Sequence, residues 1–87
     1  MYNVELTGKA KKQLSKLNSF HKKIVSSWIQ KNLYHCDNPR QYGKALKGNL
    51  KGLWRYRVGD YRIIADIQDD KVLILVLEIA DRKEVYR

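Results

Sequence analysis

Hydrophobic and polar positions follow a helical period in the first half of the chain and a strand period in the second. Tyr2, Val4 and Leu6 recur at every second position, the pattern of a short half-buried strand. Between Gly8 and Leu17, Ala10, Leu14 and Leu17 recur at helical spacing with lysines between them, and Thr7 is placed to cap that helix. Asn18 and Ser19 interrupt the pattern. From Phe20 to Leu33, a broader stripe of Phe20, Ile24, Val25, Trp28, Ile29 and Leu33 predicts a second helix, with Lys22, Lys23 and Lys31 facing outward. The two helices should form a hairpin ending at Asp37-Asn38-Pro39, because proline lacks an amide hydrogen and disfavours a helical residue before it.

Gln41 to Gly52 carries glycines at 43, 48 and 52 among lysines and has little periodicity, which predicts a basic loop. Leu53 to Val58 and Tyr61 to Ile67 read as strands joined by the two-residue turn Gly59-Asp60. Lys71 to Ile79 is nearly all branched aliphatic, as expected of a central strand, and Gln68-Asp69-Asp70 should form a tight turn before it. The expected fold is α+β in the order β-α-α-β-β-β, two N-terminal helices packed on a small, mostly antiparallel four-stranded sheet. At 87 residues there is room for one core, so residues 1–87 form one domain.

Charge adds a direction to this outline. The chain carries 18 Lys+Arg against 9 Asp+Glu, a net +9 that favours an anionic partner. The excess is uneven, at +6 over residues 1–36, +5 over 37–57 and −2 over 58–87. The first block is lysine, a hydrated point charge; the second ends in arginine, a planar fork that grips phosphate through paired hydrogen bonds. The longest apolar run, Val72 to Leu77, is far below the ~20 residues of a membrane helix, so no membrane is expected. The single cysteine, Cys36, and an N-terminus without a signal-like apolar stretch point to the cytoplasm.

The predicted turn fixes which side chains face one another. A two-residue turn at Gly59-Asp60 puts Arg57 opposite Arg62 and Arg55 opposite Ile64. Trp54, Tyr56, Val58, Tyr61, Ile63 and Ala65 then share the face beneath the helices, while Arg55, Arg57 and Arg62 share the other. Like charges directly opposite in a sheet cost up to about 1 kcal/mol, so this clustering suggests an anion held between the guanidiniums. The competing reading is a solvated face partly neutralised by Asp66 or Glu78. His21 and His35 on the second helix read as surface residues without ligand spacing for a metal, Cys36 as a packing thiol, and Trp28 and Trp54 as core. Gly43, Gly48 and Gly52 spell no phosphate-binding loop, and no cofactor is expected.

The runs from Gly43 to Gly48 and from Leu53 to Ile64, together with the ending from Ile79 to Arg87, resemble the RelE-type toxins of bacterial toxin–antitoxin systems, within the RelE/ParE superfamily. The resemblance extends from about Thr7 to the C-terminus and is carried most specifically by W-R-Y-R-V-G-D-Y-R. It implies a toxin that enters the ribosomal A site and cuts mRNA there without a metal, and a cognate RelB-like antitoxin that inhibits it. DNA would be reached only through the antitoxin complex. The family's functional positions fall on Arg55, Arg57, Arg62, Arg82 and Tyr86. The implied reaction is attack of a ribose 2′-hydroxyl on the adjacent phosphate, with the arginines supplying charge.

Two departures bear on the chemistry. Well-known members have lysines where this chain has Arg55 and Arg57, and many have histidine where it has Asp81. Arginine keeps its proton, so the base falls to Tyr86, with Arg82 stabilising the transition state or donating to the leaving group. Lys9, Lys11, Lys12, Lys16, Lys22, Lys23, Lys44, Lys47 and Lys51 are the candidate contacts to ribosomal RNA phosphates. The alternatives are a ParE-like inhibitor of DNA gyrase and a non-enzymatic basic module that binds RNA or the ribosome.

Overall fold

A computed structural model describes residues 1–81 of the chain. Strand β1 (Asn3–Leu6) passes directly into helix α1 (Gly8–Ser15) because Thr7 keeps an extended backbone and its Oγ1 accepts the Ala10 N–H at 3.1 Å. Asn18 repeats the device for helix α2 (Ser19–Asn32), its Oδ1 accepting the His21 N–H at 2.8 Å. The break expected at Asn18 and Ser19 is therefore a cap. Helix α2 stops at Asn32, several residues before Pro39, because the chain is drawn back along β1. His35 takes a φ of 60° and donates its N–H to the Tyr2 carbonyl, and the Tyr2 N–H donates to the Cys36 carbonyl, both at 2.9 Å. His35 consequently lies beyond the helix on which it was expected.

The sheet contains β1, β2 (Lys44–Ala45), β3 (Trp54–Val58), β4 (Tyr61–Gln68) and β5 (Leu73–Asp81) in the spatial order β1-β5-β4-β3-β2. Strand β1 runs parallel to β5, and the remaining pairs are antiparallel. The α+β class and the mostly antiparallel sheet match the sequence reading, with five strands in place of four. The added strand, β2, lies inside the expected basic loop and spans two residues, too short to leave a period. Strand β5 starts at Leu73 and not at Lys71, because Asp69–Lys71 make a 3₁₀ turn and Val72 takes a left-handed φ of 51°. Its flanking partners β1 and β4 make it an interior strand, as its aliphatic sequence requires.

Both helices pack on one face of the sheet. Ala10, Val25, Ile29 and Leu33 meet Val4, Tyr56, Val58, Ile63, Ala65, Ile74, Val76 and Ile79 in a single core, where each large aliphatic side chain contributes about 1.5–3 kcal/mol by leaving water. Phe20 and Ile24 depart from the expected stripe, remaining 69% and 39% exposed. They sit at the N-terminal end of α2 beside the Gly59-Asp60 turn, where the sheet gives them less cover. Among the described residues no helix is long and apolar enough to cross a membrane.

A bulge in β5 decides which side chains reach the arginine face. Ile64 pairs with Glu78 but Ala65 pairs with Val76, leaving Leu77 as the extra residue. Strict alternation from Val76 would send Glu78 into the core; the bulge sends Ile79 there instead. Helix α1 secures the irregularity, with Gln13 Oε1 accepting the Ile79 N–H at 2.7 Å and Thr7 Oγ1 donating to the Leu77 carbonyl at 3.1 Å. Lys9 Nζ lies 3.3 Å from Glu78 Oε1 at the same place.

Candidate functional site

The β3–β4 hairpin has the register that a two-residue turn demands. Gly59 takes φ 58°, Val58 pairs with Tyr61, Arg57 with Arg62, Tyr56 with Ile63, and Arg55 with Ile64. Tyr56, Val58, Ile63 and Ala65 are buried under the helices, with Trp54 and Tyr61 partly buried against the same core. Arg55, Arg57 and Arg62 consequently share the face opposite α1 and α2. Strand β2 sets Lys44 opposite Arg55, so the sheet gathers four cations across three adjacent strands.

These cations occupy different environments. Arg57 is exposed and Arg55 half-buried, whereas Arg62 is only 5% exposed. Arg62 lies in the middle of the sheet between Arg57 and Ala80, with Ile64 and Ala80 themselves 3% and 5% exposed. A guanidinium keeps its proton even when buried, and a charge in a low-dielectric setting acts more strongly on an anion brought near it. Of the acids expected to neutralise this face, Asp66 accepts a hydrogen bond from Gln68 Nε2 at 3.0 Å, and Glu78 is engaged by Lys9. Arg82 and Tyr86 lie outside the described residues.

The lysines separate by layer. Lys9, Lys11 and Lys12 on α1, Lys16 at its C-terminal cap and Lys23 on α2 are exposed, Lys22 is half-buried, and all belong to the helical layer on the other side of the sheet. Lys47 and Lys51 are exposed around the 3₁₀ turn Gly48–Leu50. Of the lysine candidates, Lys44 is the one that strand pairing sets beside the arginines. No group of three or more His, Cys, Asp or Glu among the described residues could hold a metal ion.

A loop the sequence left featureless forms the border of the site. Arg40 Nη1 and Nη2 each donate to a different oxygen of Asp69 at 3.0 Å, and the Tyr2 hydroxyl donates to Asp69 Oδ1 at 2.6 Å. These bonds hold the Asp69 carboxyl below its ordinary range, Arg40 contributing most. The Tyr56 hydroxyl, buried in the core, donates to the Pro39 carbonyl at 2.6 Å, and Trp54 Nε1 donates to the Tyr42 carbonyl at 2.6 Å. Burial pushes the Tyr56 phenol well above its usual pKa, so it remains a donor. Gly43 lies so close to β3 that a Cβ there would come within 2.1 Å of the Arg55 carbonyl oxygen. Trp28, Tyr42, Gly43, Lys44, Arg55 and Arg57 together line a cavity of about 350 Å³.

Sequence reading missed Tyr42 and the His21–Tyr61 pair. His21 is half-buried, with Nδ1 2.9 Å from the Tyr61 hydroxyl, and is therefore more than a surface residue. Trp28, assigned to the core, does pack on Tyr56 at a ring separation of 5.5 Å, but its other side meets Tyr42 at 5.8 Å and lines the cavity.

The family profile described as ParE toxin of type II toxin-antitoxin system, parDE, matches residues 4–86 of this two-helix, mixed-sheet chain with its arginines gathered on one face. The chain belongs to this family, as a toxin of the RelE type. Toxin RelE of Mycobacterium tuberculosis is 32% identical over 87 residues, covering 99% of this chain and 87% of that protein. The toxin in a RelBE toxin–antitoxin complex from the same organism superposes with a TM-score of 0.84 at 28% identity, covering 95% of this chain and 93% of that one. An archaeal RelE–RelB complex from Pyrococcus horikoshii gives a TM-score of 0.71 at 25% identity, covering 97% and 98%.

Proposed function

We propose that this toxin is a ribosome-dependent endonuclease that cleaves mRNA in the ribosomal A site and so stops translation. The observation that carries the reading is the convergence of Lys44, Arg55, Arg57 and Arg62 on one face, where β-pairing sets Lys44 against Arg55 and Arg57 against Arg62. The chemistry suited to such a surface is transesterification. The ribose 2′-oxygen bonds to the adjacent phosphorus as its proton passes to a base, and the bond to the 5′-oxygen breaks as that oxygen takes up a proton. The products are a 2′,3′-cyclic phosphate and a free 5′-hydroxyl. Negative charge grows on the phosphorane oxygens in between, and fixed cations stabilise that state more than the ground state. Arg55, Arg57 and Arg62 fill this role, Arg82 assists the phosphate or the leaving oxygen, and Tyr86 serves as the base.

The exposed lysines of α1 and α2 supply long-range attraction to ribosomal RNA, a contribution that weakens steeply with salt. The ribosome aligns the 2′-hydroxyl in line with the scissile bond, which explains why naked RNA should resist cleavage. Inhibition falls to a RelB-like antitoxin, supported by the RelE–RelB and RelBE complexes among the similar structures. DNA is then contacted through the antitoxin.

Primer extension on mRNA from cells producing the toxin tests this function. The expected result is codon-associated cuts in translated messages that disappear in Arg82→Ala. DNA-damage induction with intact mRNA would instead identify a ParE-like gyrase inhibitor, and arrest unaffected by Tyr86→Phe would remove Tyr86 as the base.

A further inference from the structure

Strand β2 pairs with β3 only at Trp54 and Arg55, so among the described residues the outer edge of β3 has no strand partner from Tyr56 onward. The 350 Å³ cavity opens at this edge and combines two kinds of wall. Trp28 and Tyr42 offer aromatic surface, their rings 5.8 Å apart and inclined at 72°, while Lys44, Arg55 and Arg57 offer positive charge. A π-face beside a row of cations matches what one nucleotide of a single strand presents, a flat base joined to a phosphate.

We propose that this cavity is a nucleobase subsite, in which one RNA base stacks on Tyr42 against Trp28 while its phosphate lies along Lys44, Arg55 and Arg57. The proposal rests on the RNA-cleaving reading and adds to it a contact that selects or orients the base beside the cut. Tyr42 is 36% exposed, leaving ring surface for a ligand. Its backbone is nevertheless held, through the Trp54 Nε1 hydrogen bond to its carbonyl, the close approach of Gly43 to Arg55, and the bonds from Tyr56 to Pro39 and from Arg40 to Asp69. A ring presented from a fixed loop loses little freedom on stacking, the condition under which an aromatic contact contributes most to binding. Among the described residues no strand pairs with β3 beyond Arg55 on this side, so an RNA strand entering there displaces none of them.

The test measures binding by the full chain, without ribosomes or cleavage. Fluorescence anisotropy at low salt compares a labelled oligoadenylate of about six nucleotides, within the usual range of single-strand site sizes, with an abasic strand of equal length. Wild type is expected to bind the base-bearing strand roughly tenfold more tightly than the abasic one, a ratio typical of one stacked base. Tyr42→Ala should erase most of that ratio, Tyr42→Phe should restore it, and Lys44→Ala should weaken both strands together. Equal binding of the two strands by wild type, or an undiminished ratio in a folded Tyr42→Ala, would overturn the subsite. Failure of the cleavage reading shows itself separately, as intact mRNA on ribosomes with wild-type toxin.

Discussion

Replacing Tyr56 with phenylalanine isolates one hydrogen bond that joins the core to the border of the site. The Tyr56 side chain is fully buried, and its hydroxyl donates to the Pro39 carbonyl at 2.6 Å. Phenylalanine keeps the ring packed against Trp28, so no cavity of ring size opens and the transfer term is small. What changes is the carbonyl of a buried proline, which loses its donor. A buried acceptor left unsatisfied costs about 1–3 kcal/mol. A destabilisation near 2 kcal/mol in a domain of this size lowers the melting temperature by about 8–16 °C. Urea unfolding at neutral pH should show a reduced midpoint with an unchanged slope, since the surface exposed on unfolding is the same. A Tyr56→Phe unfolding free energy within about 0.5 kcal/mol of wild type would refute the assignment, because that is the range of ordinary surface substitutions.

Two further substitutions probe the same border from outside the core. Gly43→Ala combines a left-handed φ of 81° with a Cβ directed at the Arg55 carbonyl, so β2 should separate from β3 and carry Lys44 away from the arginines. Hydrogen exchange should then become faster at Lys44 and Ala45, and cleavage should fall; unchanged exchange would mean that the close approach is not required. Asp69→Asn addresses pH dependence. The folded carboxyl titrates below its unfolded value of about 3.9, so its contribution is fully present above that pH and lost as pH falls through the folded value. Wild type should therefore exceed Asp69→Asn in stability at neutral pH, with the gap closing below about pH 4. A gap that stays constant down to about pH 2 would show that the ion pair with Arg40 contributes nothing.

The helices and the hairpin register were legible because each rests on local chemistry. Thr7 and Asn18 cap with their own side chains, and Gly59-Asp60 admits one favoured turn, from which the facing of Arg57 and Arg62 follows. Features decided by distant partners were hidden. The end of α2 depends on backbone bonds to Tyr2, the Leu77 bulge on Gln13, and β2 on contact with β3. The burial of Arg62 was also unreadable, since alternation assigns a face but not how deeply that face is covered. The cavity at Tyr42 escaped notice for a related reason. Its loop is positioned by Asp69, Tyr56 and Trp54, none of which lies near it in sequence.

Cleavage by purified toxin on ribosomes holding a defined codon in the A site tests most directly whether the arginine face acts on an RNA phosphate. Wild type should cut once within that codon, leave a 2′,3′-cyclic phosphate, and spare the same message without ribosomes. Arg57→Ala should slow the single-turnover cut by about 10²–10³-fold, the usual cost of removing one preorganised transition-state contact, while ribosome binding changes only a few-fold. An uncut codon with wild type, or wild-type cleavage by Arg57→Ala, would contradict this role for the arginines.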